Sequence, residues 1–269
     1  MSENTSGSNE AVTWHHGLIA RWWANFNLDG PEIEFFRSFV ESGQPALDVG
    51  CGSGRLLVPW LVDGLDVDGV DASADMIEVC RTAARSVGVE PTLHVQPTHR
   101  LDLQRRYRTI VACGVFGLGG TRADDAEGLR RLLAHLLPGG VLALDYEVVE
   151  FDDDRWRRWR LRPADESPPP GHVRRLAPDG FHYALRHRIL GVDTSERSVT
   201  RELQAWQWDG DELVAHEAHT LVANVYSSDE IVELLSSVGF TDVRVSGGYH
   251  GGAPTELDAF HVFVANAPT

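Results

Sequence analysis

The stretch Ala46-Leu47-Asp48-Val49-Gly50-Cys51-Gly52-Ser53-Gly54, followed after a helix-sized gap by Gly69-Val70-Asp71, constrains this chain more than any other. An apolar run ends in a glycine-rich turn, and a second short apolar run ends in an acid. That is the pattern of a mononucleotide-binding βαβ unit: glycines let the backbone approach a ligand, and the later acid takes a ribose diol. The glycine spacing narrows the ligand. A dinucleotide site asks for G-x-G-x-x-G, with a glycine at position 55, but Arg55 stands there and the pattern is Gly50-x-Gly52-x-Gly54. Asp48 would also sit badly beside a pyrophosphate, whereas a carboxylate there suits a ligand carrying an ammonium.

Around this turn the chain alternates. Trp14, Leu18, Trp22, Trp23 and Phe26 fall at helical spacing, and Glu32 to Val40 reads as a second helix ending at Gly43. Strands are predicted at 46–49, 66–70, 92–95, 109–113 and 141–145, with helices at 55–62 (kinked by Pro59), 74–87 and 124–137. After Glu150 the rhythm breaks. Three β-rich stretches, 181–190, 197–208 and 212–226, follow Pro168-Pro169-Pro170, the last two joined across Asp209-Gly210-Asp211, a hairpin turn. Ser227-Ser228-Asp229-Glu230 then starts a helix that Gly239 ends, and strands at 243–246 and 259–265 close the chain.

On the Asp48/Gly50/Gly52/Gly54 motif, the Asp71 spacing and this element order, the chain resembles the class I S-adenosylmethionine (SAM) dependent methyltransferases. The resemblance covers about residues 20–150 and 226–265. It implies an α/β, Rossmann-like fold: a seven-stranded, mostly parallel sheet with helices on both faces and a reversed last strand, plus an antiparallel β lid inserted after strand 5. Four regions are expected. Residues 1–30 form a polar tail and an aromatic helix covering the site, 31–150 the SAM-binding core, 151–225 the lid, and 226–269 the last helix and two strands.

The same resemblance implies a cofactor site. Asp48 receives the methionine ammonium, Gly50, Gly52 and Gly54 let the backbone close on the ligand, and Arg55 bonds the carboxylate. Asp71 grips the ribose hydroxyls; as an alternative it caps the following helix, a role that Ser73 fills better. Ala72 and Met76 lie against the adenine, although Met76 reads equally well as core. Gln96 or Thr98 accepts from the exocyclic amine, where many members carry an acid. Cys113 ends strand 4 beside the transferable methyl, and Trp23 offers an aromatic face to the sulfonium.

For the methyl acceptor, the carboxyl-end rule for open α/β sheets selects residues after strands 4, 5 and 6. Phe116, Tyr146, Tyr249 and Trp14 are expected to touch substrate, and Glu147 and His250 are the candidate bases if the acceptor is a hydroxyl. For both, an ordinary surface or structural role competes. The expected reaction is in-line methyl transfer to nitrogen or oxygen of a small molecule. Two alternatives stay open: a non-methylating step such as cyclisation on the same fold, and a SAM-binding protein without chemistry.

Composition excludes other classes. A formal net charge of −16 repels a phosphate backbone, so no nucleic-acid partner is expected. The basic run Arg155-Trp156-Arg157-Arg158-Trp159-Arg160 reads as a surface helix with two tryptophans facing the core. No stretch approaches the roughly 18 apolar residues of a membrane span, and the start is polar. Three cysteines without paired spacing fit a reducing compartment, so a cytoplasmic enzyme is expected, without a metal and with a homodimer left open.

Overall fold

The computed structural model describes residues 13–147, 173–255 and 257–269. The expected polar tail at 1–10, the helix at 155–160 and the proline run at 168–170 lie outside the described residues. The first half alternates as predicted: α1 (Gly17–Phe26), α2 (Glu32–Ser42), β1 (Ala46–Val49), α3 (Leu57–Val62), β2 (Val67–Asp71), α4 (Ala74–Ser86), β3 (Leu93–Val95), β4 (Tyr107–Ala112), α5 (Arg122–His135) and β5 (Leu136–Glu147). The second half holds β6 (Arg175–Leu176), β7 (His182–Asp193), β8 (Ser198–Asp209), β9 (Glu212–Asn224), α6 (Ser228–Val238), β10 (Thr241–Gly247) and β11 (Phe260–Asn266).

Seven strands form one sheet in the order β10-β11-β5-β4-β1-β2-β3, and β11 runs antiparallel to both β5 and β10. Successive strand residues feed opposite faces. Leu47, Val49, Ile110, Leu142 and Leu144 pack with Leu129 and Leu132 of α5 and Ile231 and Leu235 of α6. Their neighbours Ala46, Val111 and Ala143 pack with Phe36 of α2, Trp60 of α3 and Ile77 of α4. Two cores therefore cover the sheet, which is why its parallel strands read as continuous apolar runs. The chain leaves β3 and returns on the far side of β1 as β4, so a crevice opens at the carboxyl ends of β1 and β4.

Local signals set the helix ends. Ser73 caps α4 by accepting from the Met76 N–H at 3.2 Å, and Thr121 with Asp124 and Ser227 with Glu230 form reciprocal capping boxes. α3 starts at Leu57 rather than at Arg55, so Pro59 falls in its first turn, where a missing N–H breaks no helical bond. The predicted kink is therefore not needed.

The strands β6-β7-β8-β9 make a second, antiparallel sheet, with Gly210 left-handed in the β8–β9 turn. α1 lays its stripe on this sheet: Leu18, Ile19, Trp22 and Phe26 pack with Tyr183, Leu203, Ala205 and Leu221. Trp14 precedes the helix, because Gly17 turns left-handed (φ 57°) and presents its N–H to Asp75 Oδ2 of α4 at 2.7 Å. The next N–H, of Leu18, donates to Glu217 Oε2 of β9 at 2.8 Å. One helix start is thus tied to α4 and to the second sheet. Where β9 ends, Tyr146 Oη donates to Asn224 O (2.9 Å) and accepts from the Tyr226 N–H (3.0 Å), all buried. Among the described residues, no helix is long and apolar enough to cross a membrane.

Tyr146→Phe should leave a buried N–H and C=O without their partner and destabilise the protein by about 1–3 kcal/mol. Urea unfolding checks this; an unchanged midpoint would show that the phenol does not dock the second sheet.

Candidate active site

The glycine turn sits where β1 meets the crevice. Gly50, Gly52 and Gly54 all have positive φ, but they serve different neighbours. A Cβ at Gly50 would lie 2.0 Å from Val115 Cγ1, so its bareness admits the loop after β4. A Cβ at Gly54 would lie 2.7 Å from Cys80 Sγ and Val58 Cγ2, and Gly54 borders neither cavity described below. Gly54 is therefore a packing glycine, a correction to its expected ligand role. Gly52 donates its N–H to Asp71 Oδ2 at 3.0 Å, and the Ser73 N–H donates to Asp71 Oδ1 at 2.7 Å. Asp71 is held rigid at the end of β2 while Ser73 does the capping, which leaves its other lone pairs to the crevice. Burial pushes its carboxyl above the ordinary range against those two backbone bonds.

A cavity of about 420 Å³ opens above β1, β4 and β5. Asp48 borders it, 2% exposed, and its Oδ2 has no hydrogen-bond partner. Burial raises its carboxyl to about 7; Arg55 opposes the rise and Asp71 adds to it. Trp14, Trp23 and Arg201 border the same cavity, and their indole N–H groups and the Arg201 Nε–H are also buried without a partner. Buried polar atoms are ordinarily bonded, so these four are open to a guest's polar groups. One lone acceptor carboxylate and three lone N–H donors on residues around one cavity fit a zwitterion. Trp22 instead packs in the α1–second-sheet core, beside Trp23 and Phe26.

Arg55 reaches the cavity wall but is not a free cation. Its guanidinium pairs with Glu32 of α2, and both side chains are largely buried. The pair neutralises both charges, so Arg55 is not the free cation expected for a ligand carboxylate. Met76 is displaced from its expected place as well. It borders the larger cavity, its Cε 3.2 Å from where a Gly52 Cβ would stand, because the first turn of α4 packs under the glycine loop.

A smaller cavity of about 130 Å³ adjoins the first and shares Gly50 and Asp71 with it. Ala72, Gln96 and Thr98 line it, as expected of an adenine end. The Gln96 amide is already committed: its Oε1 accepts from the Asp102 N–H (2.8 Å) and its Nε2 donates to Asp102 O (3.3 Å), pinning the loop after β3. Thr98 packs against Gly128 of α5.

On the β5 side, Phe116, Tyr146 and Tyr249 border the larger cavity, and the Tyr146 hydroxyl is spent on the chain at 224–226. Glu147 is half exposed and pairs with Arg201 of β8 at 3.1 Å. His250 borders neither cavity: it faces Asp258 at 3.0 Å, in a loop where Thr255 also bonds that carboxylate. The candidate base His250 thus stands apart from both cavities, and Glu147 is engaged. Sequence position alone missed what lies between them. Asp145, 1% exposed, accepts from Tyr249 Oη (2.5 Å), the Gly114 N–H (2.5 Å) and Cys113 Sγ (3.2 Å). His15, which borders both cavities between Trp14 and Trp23, was also not singled out. Burial and then His16 lower its imidazole to about 4.

Residues 46–140 match the methyltransferase domain family. Over 102 residues the chain is 32% identical to a ubiquinone biosynthesis O-methyltransferase of Nitrobacter winogradskyi. Over 103 residues it is 36% identical to a dTDP-3-amino-3,6-dideoxy-alpha-D-glucopyranose N,N-dimethyltransferase of Streptomyces fradiae. These matches take in 38% and 37% of this chain, and the chain spans only 38% of either relative's own length. The fold likeness runs further. A SAM-dependent methyltransferase from Clostridium acetobutylicum superposes with a TM-score of 0.69 at 16% identity, covering 93% of this chain and 97% of that one.

The lone Asp48 carboxylate gives a stability test. Its folded-state value near 7 lies above the ordinary 3.8, so its contribution is full below 3.8, declines as pH rises and is gone above 7. Asp48→Asn mimics the protonated acid and should therefore stabilise the ligand-free protein by about 2 kcal/mol at pH 8, with the gain shrinking towards pH 4. Urea unfolding at the two pH values measures it; a variant no more stable than the parent at pH 8 would refute the lone-carboxylate reading.

Proposed function

We propose that this chain, a member of the class I SAM-dependent methyltransferases, methylates an amine of a small molecule. The observation that carries the proposal is the set of partnerless buried atoms, Asp48 Oδ2, the two indole N–H groups and the Arg201 Nε–H, on residues that border one cavity with Asp71. SAM, when bound, supplies an electrophilic methyl on a sulfonium. Asp48 takes its ammonium, the Trp14 and Trp23 N–H groups take its carboxylate, and their ring faces suit the sulfonium. Asp71 receives the ribose diol, and Ala72 and Thr98 wall the adenine.

Methyl transfer is an in-line displacement, so the chain's own task is to orient the acceptor and exclude water. The second sheet serves as the lid: Arg201, Ala223 and Asn224 border the cavity from that side. Three considerations favour an amine. The Streptomyces fradiae relative is an amino-sugar N,N-dimethyltransferase. The described cavity wall carries Glu32, Asp48, Asp71, Asp145 and Glu147 against Arg55 and Arg201, so it favours a neutral or cationic guest. An amine also needs only its neutral form, whereas a hydroxyl needs a stronger base. The Nitrobacter winogradskyi O-methyltransferase supports a hydroxyl acceptor as the second reading. The chain's acidity argues against nucleic acid, and its unpaired thiols favour a cytoplasmic place of work.

Two measurements test this. In calorimetry, Asp71→Ala should weaken SAM binding by about 1.5–3 kcal/mol, because one carboxylate serves two buried hydroxyls. SAM affinity should also fall as pH drops below about 7, where Asp48 takes up a proton, and Asp48→Asn should bind weakly with no such dependence. Methyl-labelled SAM offered with panels of amines and of alcohols reads the acceptor class. Label entering only alcohols would overturn the amine assignment, and no binding of SAM would overturn the whole reading.

A further inference from the structure

The geometry points to Tyr249, held by Asp145, as the group that receives the acceptor's proton at the transferable methyl. This rests on the donor placement proposed above. With the ribose at Asp71 on β2 and the ammonium at Asp48 on β1, the far side of the donor faces the ends of β4 and β5. Those ends carry Cys113, Gly114 and Asp145, and Tyr249 stands over them in the turn after β10.

Three donors converge on Asp145: the Tyr249 phenol and the Cys113 thiol on Oδ2, and the Gly114 N–H on Oδ1. An all-donor environment is that of an ionised carboxylate, which only accepts. The Tyr249 hydrogen is therefore committed inward, and the phenol oxygen presents its lone pairs, enriched by the charge behind it, to the cavity. The ring cannot swing away. Phe35 and Phe36 of α2 meet it edge-on at 5.8 and 6.0 Å, and Phe260 of β11 stacks on it at 6.1 Å.

The other titratable groups at this wall are committed elsewhere: Asp48 to the donor's ammonium, Asp71 to its ribose, the Cys113 thiol to Asp145 and the Tyr146 phenol to the chain at 224–226. Glu147 is half exposed and paired with Arg201, Glu32 is paired with Arg55, and His250 faces Asp258 outside the cavity. His15 is too weakly basic to hold a proton near neutral pH.

The step balances without a co-reactant. The acceptor nitrogen bonds the methyl carbon as the carbon–sulfur bond breaks and its electron pair stays on sulfur. The nitrogen's surplus hydrogen then passes to Tyr249 Oη while the phenol's own hydrogen passes to Asp145 Oδ2. The phenol ends unchanged and the proton rests on the carboxylate, which burial prepares to keep it.

Sinefungin tests this without any knowledge of the acceptor, because it carries a C–NH3+ where SAM carries the sulfonium methyl; S-adenosylhomocysteine has nothing there. Calorimetry should show that the parent protein prefers sinefungin to S-adenosylhomocysteine. Tyr249→Phe, which keeps the ring, should erase about ten- to hundredfold of that preference while S-adenosylhomocysteine binds as before. Asp145→Asn should reduce it in the same direction. A parent that binds S-adenosylhomocysteine without preferring sinefungin, or a Tyr249→Phe variant that keeps the full preference, overturns the assignment and leaves the donor reading standing. Equal losses for both ligands in Tyr249→Phe would mark a purely structural residue and also overturn it. A parent that binds neither ligand refutes the donor reading, and this inference with it.

Discussion

Burial of both faces of the seven-stranded sheet is the constraint from which the rest follows. Leu47 and Val49 feed one core while Ala46 feeds the other, and the same division holds along β4 and β5. Such a sheet has no free face on which to build chemistry. Polar function is driven to the strand ends, and the break in strand order between β1 and β4 fixes which ends open into a crevice. Asp71, Asp48, Cys113 and Asp145 gather there from four neighbouring strands, although 97 positions separate the first acid, Asp48, from the last, Asp145.

A crevice at strand ends still needs a far wall, and here it is made by distant segments tied through hydrogen bonds rather than by a large apolar interface. The first two N–H groups of α1 are accepted by Asp75 of α4 and by Glu217 of β9 in the second sheet. At the opposite corner Asn224 and Tyr226 both donate to the half-buried Asp125 at 2.7 Å, and Tyr146 clasps the same segment. Each tie joins groups that would be left unsatisfied if the wall lifted, so the enclosure is specific in register without being sealed.

What was legible in the sequence follows from the same physics. Continuous apolar runs, a glycine turn and capping residues are local signals, so β1, β2, β4, α4 and α6 were readable, as was the reversed last strand from the resemblance. Pairings across the chain were not. Arg55 looked like a free cation because nothing near it in sequence announces Glu32, 23 residues earlier, as its partner. His250 and Tyr249 are adjacent, and only the tight turn at Gly248–His250 sends the tyrosine inward and the histidine towards Asp258. Met76 carries the spacing of a core residue and of a ligand residue alike, and its contact with the glycine loop depends on how α4 settles under β2.

Asp48 and Asp145 meet the same problem, a carboxylate deep in the crevice, with opposite solutions. Burial raises both carboxyls. Asp145 is compensated from within, by a phenol, a thiol and a backbone N–H, and so has its hydrogen bonds made before any ligand arrives. Asp48 has an Oδ2 with no donor at all and sits with a proton affinity near neutrality. Internal donors on Asp48 would stabilise the empty protein but leave nothing for a ligand's ammonium to gain. A lone carboxylate on Asp145 would be neutralised by its own burial and could no longer draw the Tyr249 hydrogen inward. On the proposed reading, the asymmetry separates the two ends of one cavity, a binding end where charge is completed by the guest and a reacting end where it is organised in advance.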